Sequence, residues 1–142
     1  MSLVYWDTML FIYWLEDKKP FSSKIERLYN RMMERGDTLC SSTFGLGELL
    51  VGPKKTGDTK AVTKIQDFYL SRTIKVLEFT VPATDLYSDL RAKSAIKPPD
   101  AIHLACAGAG GVDLFLTNDQ ALRKLTVPGI KFIDGIDTSV LA

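Results

Sequence analysis

Short β-compatible runs alternate with stretches of helical periodicity along the whole chain, and no other feature limits the available folds as strongly. Leu3 to Trp6 reads as a strand ending at Asp7, and the apolar positions from Leu10 suit a helix entered at Thr8. Ser23 and Glu26 form a capping-box pair around Ile25, Leu28, Tyr29, Met32 and Met33, which recur at helical spacing until Gly36 stops them. Thr38 to Cys40 is a brief strand, and Ser42 or Thr43 caps a helix running through Val51, ended by Gly52-Pro53. A loop rich in Lys and Thr, Lys54 to Lys60, precedes a helix carrying Val62, Ile65, Phe68 and Tyr69, then a strand at Ile74 to Phe79. Pro82 opens a helix bearing Leu86, Tyr87, Leu90 and Ile96, which ends before Pro98-Pro99. Asp100 to Ala107 forms a short buried helix closed by Gly108 to Gly111. Leu114 to Thr117, Gln120 to Leu125 and Lys131 to Ile133 follow as strand, helix and strand. Such alternation predicts an α/β layered fold around a mainly parallel sheet of about five strands.

The 142 residues are one domain's worth of sequence, so residues 1–142 are expected to form a single domain with its own core. Cys40 and Cys106 lie far apart among apolar or small residues, offer neither a disulfide framework nor a zinc spacing, and fit a cytoplasmic protein. The longest apolar run, Met9 to Leu15, is too short to span a membrane, and no export signal is expected. Eighteen basic residues against 17 acidic ones leave a net charge of +1, which removes any simple argument from bulk charge for nucleic-acid binding.

The acids are placed more tellingly than they are numerous. Ligands bind open parallel sheets beyond the carboxyl ends of the strands. Asp7 directly follows the first strand and Asp119 lies two residues beyond the strand Leu114 to Thr117, whereas Asp113 precedes that strand and belongs at the opposite edge. Glu48 sits mid-helix in Gly-Leu-Gly-Glu-Leu-Leu, and Asp100 opens the helix Asp-Ala-Ile-His-Leu-Ala. Carboxylates embedded in apolar sequence are costly to bury unpaired, and a divalent cation can pair several at once. Each acid also has a plainer reading. Asp100 behind two prolines can be a helix N-cap, Asp7 can cap the helix after it, and Asp119 stands at a helix start where Thr117 and Gln120 can already form a capping box. Glu48 has the weakest such alternative, because a mid-helix acid between apolar neighbours needs solvent or a partner.

Taken with their neighbours, these residues resemble the PIN domain, and within it the VapC-type toxins of toxin–antitoxin pairs, over nearly the whole chain. The resemblance rests on Asp7-Thr8 after the first strand, and on Ser41-Ser42-Thr43 followed by Glu48-Leu49-Leu50. Asp100-Ala101-Ile102-His103-Leu104-Ala105 and Leu116-Thr117-Asn118-Asp119 supply its third and fourth elements. Met9 departs from the pattern, since many relatives carry a polar residue there. The resemblance implies a three-layer α/β/α PIN-like fold and a Mg²⁺- or Mn²⁺-dependent endoribonuclease. Asp7, Glu48, Asp100 and Asp119 would hold one or two ions that activate water and neutralise the scissile phosphate, leaving a 5′-phosphate and a 3′-hydroxyl. Asp7 and Asp100 would be the most direct ligands. Thr117 would orient Asp119 or a coordinated water, or serve as a cap. An antitoxin laying Arg or Lys across the acidic groove and a homodimer are the further partners the family implies, with the apolar positions of the Ser23 to Arg35 helix open to dimer contact or core burial.

His103, the single histidine, invites a general-acid role but reads better as a packed, hydrogen-bonded side chain, and Trp6 and Trp14 read as core. RNA contact is expected from Lys54, Lys55 and Lys60, and from Arg91, Lys93 and Lys97, against the plainer reading of a solvated charged surface. With four acids withdrawn into a site, 13 remain against 18 basic residues, so the rest of the molecule carries +5. Competing readings are a non-catalytic PIN-like module that binds protein or RNA, and a haloacid-dehalogenase-type phosphatase. The latter wants a second Asp where Met9 stands. A receiver-like domain lacks its acceptor Asp at the ends of Thr38 to Cys40 and Ile74 to Phe79.

Overall fold

The computed structural model describes residues 1–141. β1 (Leu3–Trp6), β2 (Thr38–Ser42), β3 (Ile74–Leu77), β4 (Leu114–Leu116) and β5 (Phe132–Asp134) form one sheet in the order β3-β2-β1-β4-β5, every neighbouring pair parallel. Helices make the crossovers, as parallel strands require. α1 (Thr8–Leu15) and α2 (Phe21–Arg35) join β1 to β2, and α3 (Thr43–Thr56) and α4 (Thr59–Leu70) join β2 to β3. α5 (Val81–Lys93) and α6 (Pro98–Ala109) lead to β4, and α7 (Gln120–Arg123) leads to β5.

Both sheet faces are covered, which is why the strands read as continuous apolar runs rather than as alternation. Val4, Trp6, Leu39, Leu114 and Leu116 point into a core shared with Leu10, Ile25, Leu49 and Ile65 of α1 to α4. Tyr5, Cys40 and Phe115, one residue out of phase, point to the opposite core with Ala101, Leu104 and Leu122. The result is the three-layer α/β/α arrangement. Trp6 is wholly buried in the core, and Trp14, only half-buried, packs against it at 5.4 Å between ring centroids. Ile25, Leu28 and Met32 of α2 are likewise spent on the core. Among the described residues, no helix is long and apolar enough to cross a membrane.

Several boundaries differ from the sequence expectation. The Ser23–Glu26 capping box does not form. α2 starts earlier, at Phe21, whose ring stacks on Tyr13 at 4.7 Å, and Glu26 instead accepts a hydrogen bond from Trp14 Nε1 at 2.6 Å. α3 does not end at Gly52-Pro53 but continues to Thr56. Gly57, at φ 71°, closes it, and the N–H groups of Gly57 and Asp58 take up the carbonyls of Lys54 and Pro53. Lys54 and Lys55 therefore lie in the last turn of α3 and Lys60 in the first turn of α4, not in a loop. α5 stops at Lys93, leaving Ile96 in the connection, where its carbonyl accepts from Arg91 Nη1 at 2.8 Å.

The strand order also locates the place where a site can form. From β1 the chain steps outward to β2 and β3, then returns to lay β4 on the other side of β1. The crevice beyond the carboxyl ends of β1 and β4 is the switch point of the sheet. Asp7 ends β1 there, and Thr117 follows β4. Asp113 stands at the opposite edge, accepting from Leu3 N at 2.8 Å and pairing with Lys131 at 3.0 Å.

Candidate functional site

A cavity of about 440 Å³ opens at this switch point, and Asp7, Glu48, Asp100 and Asp119 all line it, together with Thr8 and His103. Four separate elements deliver the acids: the end of β1, the middle of α3, the first turn of α6 and the loop after β4.

Each carboxylate is held differently. Asp7 is buried and N-caps α1, its Oδ1 accepting from Thr8 N at 2.8 Å, while Thr117 Oγ1 donates to its Oδ2 at 2.9 Å. Thr117 is fully buried and thus orients Asp7, not the Asp119 side chain. It reaches Asp119 only by accepting from its backbone N–H at 3.1 Å. The Thr117–Gln120 capping box is absent, because Asp119 itself caps α7, its Oδ1 accepting from Ala121 N at 2.9 Å. Asp100 is not a cap. α6 begins two residues earlier, behind Lys97, and the Asp100 carboxylate accepts no hydrogen bond from the described residues. Burial and the neighbouring charges of Asp7 and Asp119 push its carboxyl above the usual range.

Glu48 behaves in the opposite way. Burial opposes its ionisation, but hydrogen bonds outweigh burial and hold its carboxyl below the usual range. Thr8 Oγ1 donates to Oε1 at 2.7 Å and His103 Nε2 lies 2.5 Å from the same oxygen. His103 is packed and hydrogen-bonded, as the sequence suggests, and it also lines the site, a placement the sequence reading does not make. The available signal was its spacing, three residues after Asp100 on one helix, which puts both on the same face.

Among the described residues, no group of three or more His, Cys, Asp or Glu side chains stands ready to hold an ion. The donor set nonetheless suits a hard divalent cation. It is all oxygen, and among the described residues nothing donates to Glu48 Oε2, Asp119 Oδ2 or either Asp100 oxygen. Burial, then the charges of Asp7 and Asp119, disfavour the ionised Asp100 carboxylate, and a cation would offset both.

None of Lys54, Lys55, Lys60, Arg91, Lys93 and Lys97 lines the acidic cavity. Arg91 is committed to the Ile96 carbonyl, and Lys93 lies 3.9 Å from Asp89. A second groove, about 470 Å³, runs from Glu48 between α1 and α3–α4, walled by Ile12, Leu15, Leu49 and Ile65 with Lys64 beside them. The sequence reading missed Lys64.

The family model described as the PIN domain matches residues 4–128. The chain belongs to the PIN-domain family. Three solved structures share the fold. VapBC2 from Rickettsia felis, bound to a DNA fragment from its promoter, aligns at TM-score 0.70 and 18% identity, covering 94% of this chain and 98% of that one. Mycobacterium tuberculosis VapC20, a sarcin-ricin loop cleaving toxin, aligns at 0.67 and 14%, covering 87% and 96%. A toxin–antitoxin complex from Klebsiella pneumoniae aligns at 0.65 and 19%, covering 89% and 94%. No curated protein matches this PIN domain by sequence.

Proposed function

We propose that this PIN domain is a Mg²⁺- or Mn²⁺-dependent endoribonuclease and the toxin of a VapBC-type pair. The observation that carries the reading is the convergence of Asp7, Glu48, Asp100 and Asp119 on one cavity at the sheet's switch point. Thr8 and Thr117 fix the two oxygens of Asp7, and Thr8 and His103 fix one oxygen of Glu48, so two of the four carboxylates are pre-oriented. Asp100 and the outer oxygen of Asp119 complete an oxygen-only shell. A divalent cation held there would supply charge neutralisation at the scissile phosphate and a more acidic water. The RNA strand would be the substrate, its flanking phosphates met by the basic remainder of the surface.

The groove beside Glu48 suits an antitoxin peptide that packs apolar side chains against Leu15, Leu49 and Ile65 and turns an Arg or Lys toward the acids. Solved neighbours in toxin–antitoxin complexes support that assignment, and a second copy of the chain is the other partner expected.

Purified protein incubated with a panel of structured RNAs should cleave with Mg²⁺ or Mn²⁺ and not with EDTA, and Asp7→Asn should remove the activity while keeping the fold. Full cleavage in EDTA or by Asp7→Asn would discard the metal mechanism. RNA binding without cleavage under any condition would favour the non-catalytic module.

A further inference from the structure

We propose that His103 is a positioning residue for Glu48, gripped from behind by Tyr5, an inference that rests on the metal-site reading above. Tyr5, Ser42 and His103 are all buried, at 0%, 0% and 2% exposure. They form a connected line. The Tyr5 hydroxyl lies 2.8 Å from Ser42 Oγ and 2.6 Å from His103 Nδ1, Ser42 Oγ accepts from Gly45 N at 3.0 Å, and His103 Nε2 meets Glu48 Oε1.

The direction of the last bond follows from chemistry. Ionised Glu48 can only accept, so Nε2 carries the proton whether the ring is neutral or charged. Nδ1 is then an acceptor or a donor, and the Tyr5 hydroxyl serves either. The Tyr5–His103 bond is kept in both states, which suits a structural prop.

Packing removes the ring's other freedoms. The Phe44 ring stands edge-on to the imidazole at 5.3 Å and the Tyr5 ring at 5.8 Å, while Tyr5 itself stacks on Phe115 at 5.1 Å. Gly45 gives the ring its room, since a Cβ there would come within 3.4 Å of His103 Cε1 and 3.0 Å of Ser41 Oγ. The consequence falls on Glu48, whose long side chain, 32% exposed, would otherwise sample several rotamers. With Oε1 pinned by His103 and Thr8, Oε2 is the oxygen left for a ligand.

The test is binding of Mn²⁺ alone to the purified chain, measured by calorimetry and by the paramagnetic resonance of free Mn²⁺. Compared are wild type, Asp7→Asn, His103→Leu, His103→Gln and Tyr5→Phe, each checked for fold by circular dichroism. His103→Leu should weaken Mn²⁺ binding by about 10–100-fold, the scale on which outer-shell partners act. His103→Gln, whose amide N–H can still reach Glu48, should recover most of that loss. Tyr5→Phe, which removes one hydroxyl, should weaken binding several-fold, and it carries the test if His103→Leu does not fold. Wild-type affinity in folded His103→Leu or in Tyr5→Phe overturns the positioning role while leaving the carboxylate site standing. Absence of Mn²⁺ binding in wild type, or equal binding by Asp7→Asn, overturns the site reading and this inference with it.

Discussion

Thr117 and Asp7, 110 positions apart in sequence, are joined by a hydrogen bond of 2.9 Å across the two strands that frame the switch point. Thr117 donates to Asp7 and accepts from the Asp119 N–H, so one buried hydroxyl ties two of the four acids together. Thr117→Val keeps the shape and removes both bonds. It should cost about 1–3 kcal/mol of stability and lower kcat by about 10–100-fold. Denaturant melts and cleavage kinetics check this, and an unchanged kcat would reduce Thr117 to a structural tie.

Asp100 should show opposite signs for stability and activity. Burial, then Asp7 and Asp119, raise its carboxyl in the folded state. A folded-state value above the unfolded one means that ionisation destabilises the fold once pH exceeds the ordinary carboxylate range. Asp100→Asn should therefore raise the metal-free Tm at neutral pH, with the gain vanishing near pH 3, while cleavage is lost. Equal melting of the two proteins at pH 7 would contradict the cost of ionised Asp100 in the folded state.

Asp113, at the far edge of the sheet, provides the reverse case. The Leu3 N–H, then Lys131, hold its carboxyl below the usual range. Its contribution is present above the ordinary carboxylate range and is lost as pH falls through the depressed folded value. Asp113→Ala should cost about 1 kcal/mol at neutral pH, shrinking in acid. The exposed Lys131 adds little to this. Parallel urea melts at pH 7 and pH 3 would reveal the trend, and a pH-independent difference would speak against it.

Lys54 and Lys55 should matter through the RNA backbone. Neutralising both to Gln should weaken binding of a non-cleavable RNA at all sequences and flatten the plot of log affinity against log salt by about 1.5 units. Arg91→Gln should instead lower stability, because its guanidinium holds the Ile96 carbonyl. An unaltered salt slope in the double variant would place the RNA elsewhere.

What could be read from the chain followed its local rules. The strand–helix alternation and the position of Asp7 and Asp119 after strands needed only apolar runs and the geometry of parallel sheets. What escaped depended on tertiary partners. Pro53 looks like a stop, yet the helix passes it because Gly57 supplies a better closure one turn later. Ser23 and Glu26 match a capping box, but Phe21 stacks on Tyr13 and starts the helix early. His103 touches Glu48 across 55 positions, a contact no local pattern encodes.

The continuation of α3 past Pro53 has one further consequence. Glu48 and Lys55, seven residues apart, share a helical face and stand about 10 Å apart along its axis. Had the lysines been on a loop, the distance between grip and cut would vary from one encounter to the next. On a single rod it is constant, so a strand held at Lys55 would meet the acids at a set interval, and α3 would serve as a ruler laid along the RNA.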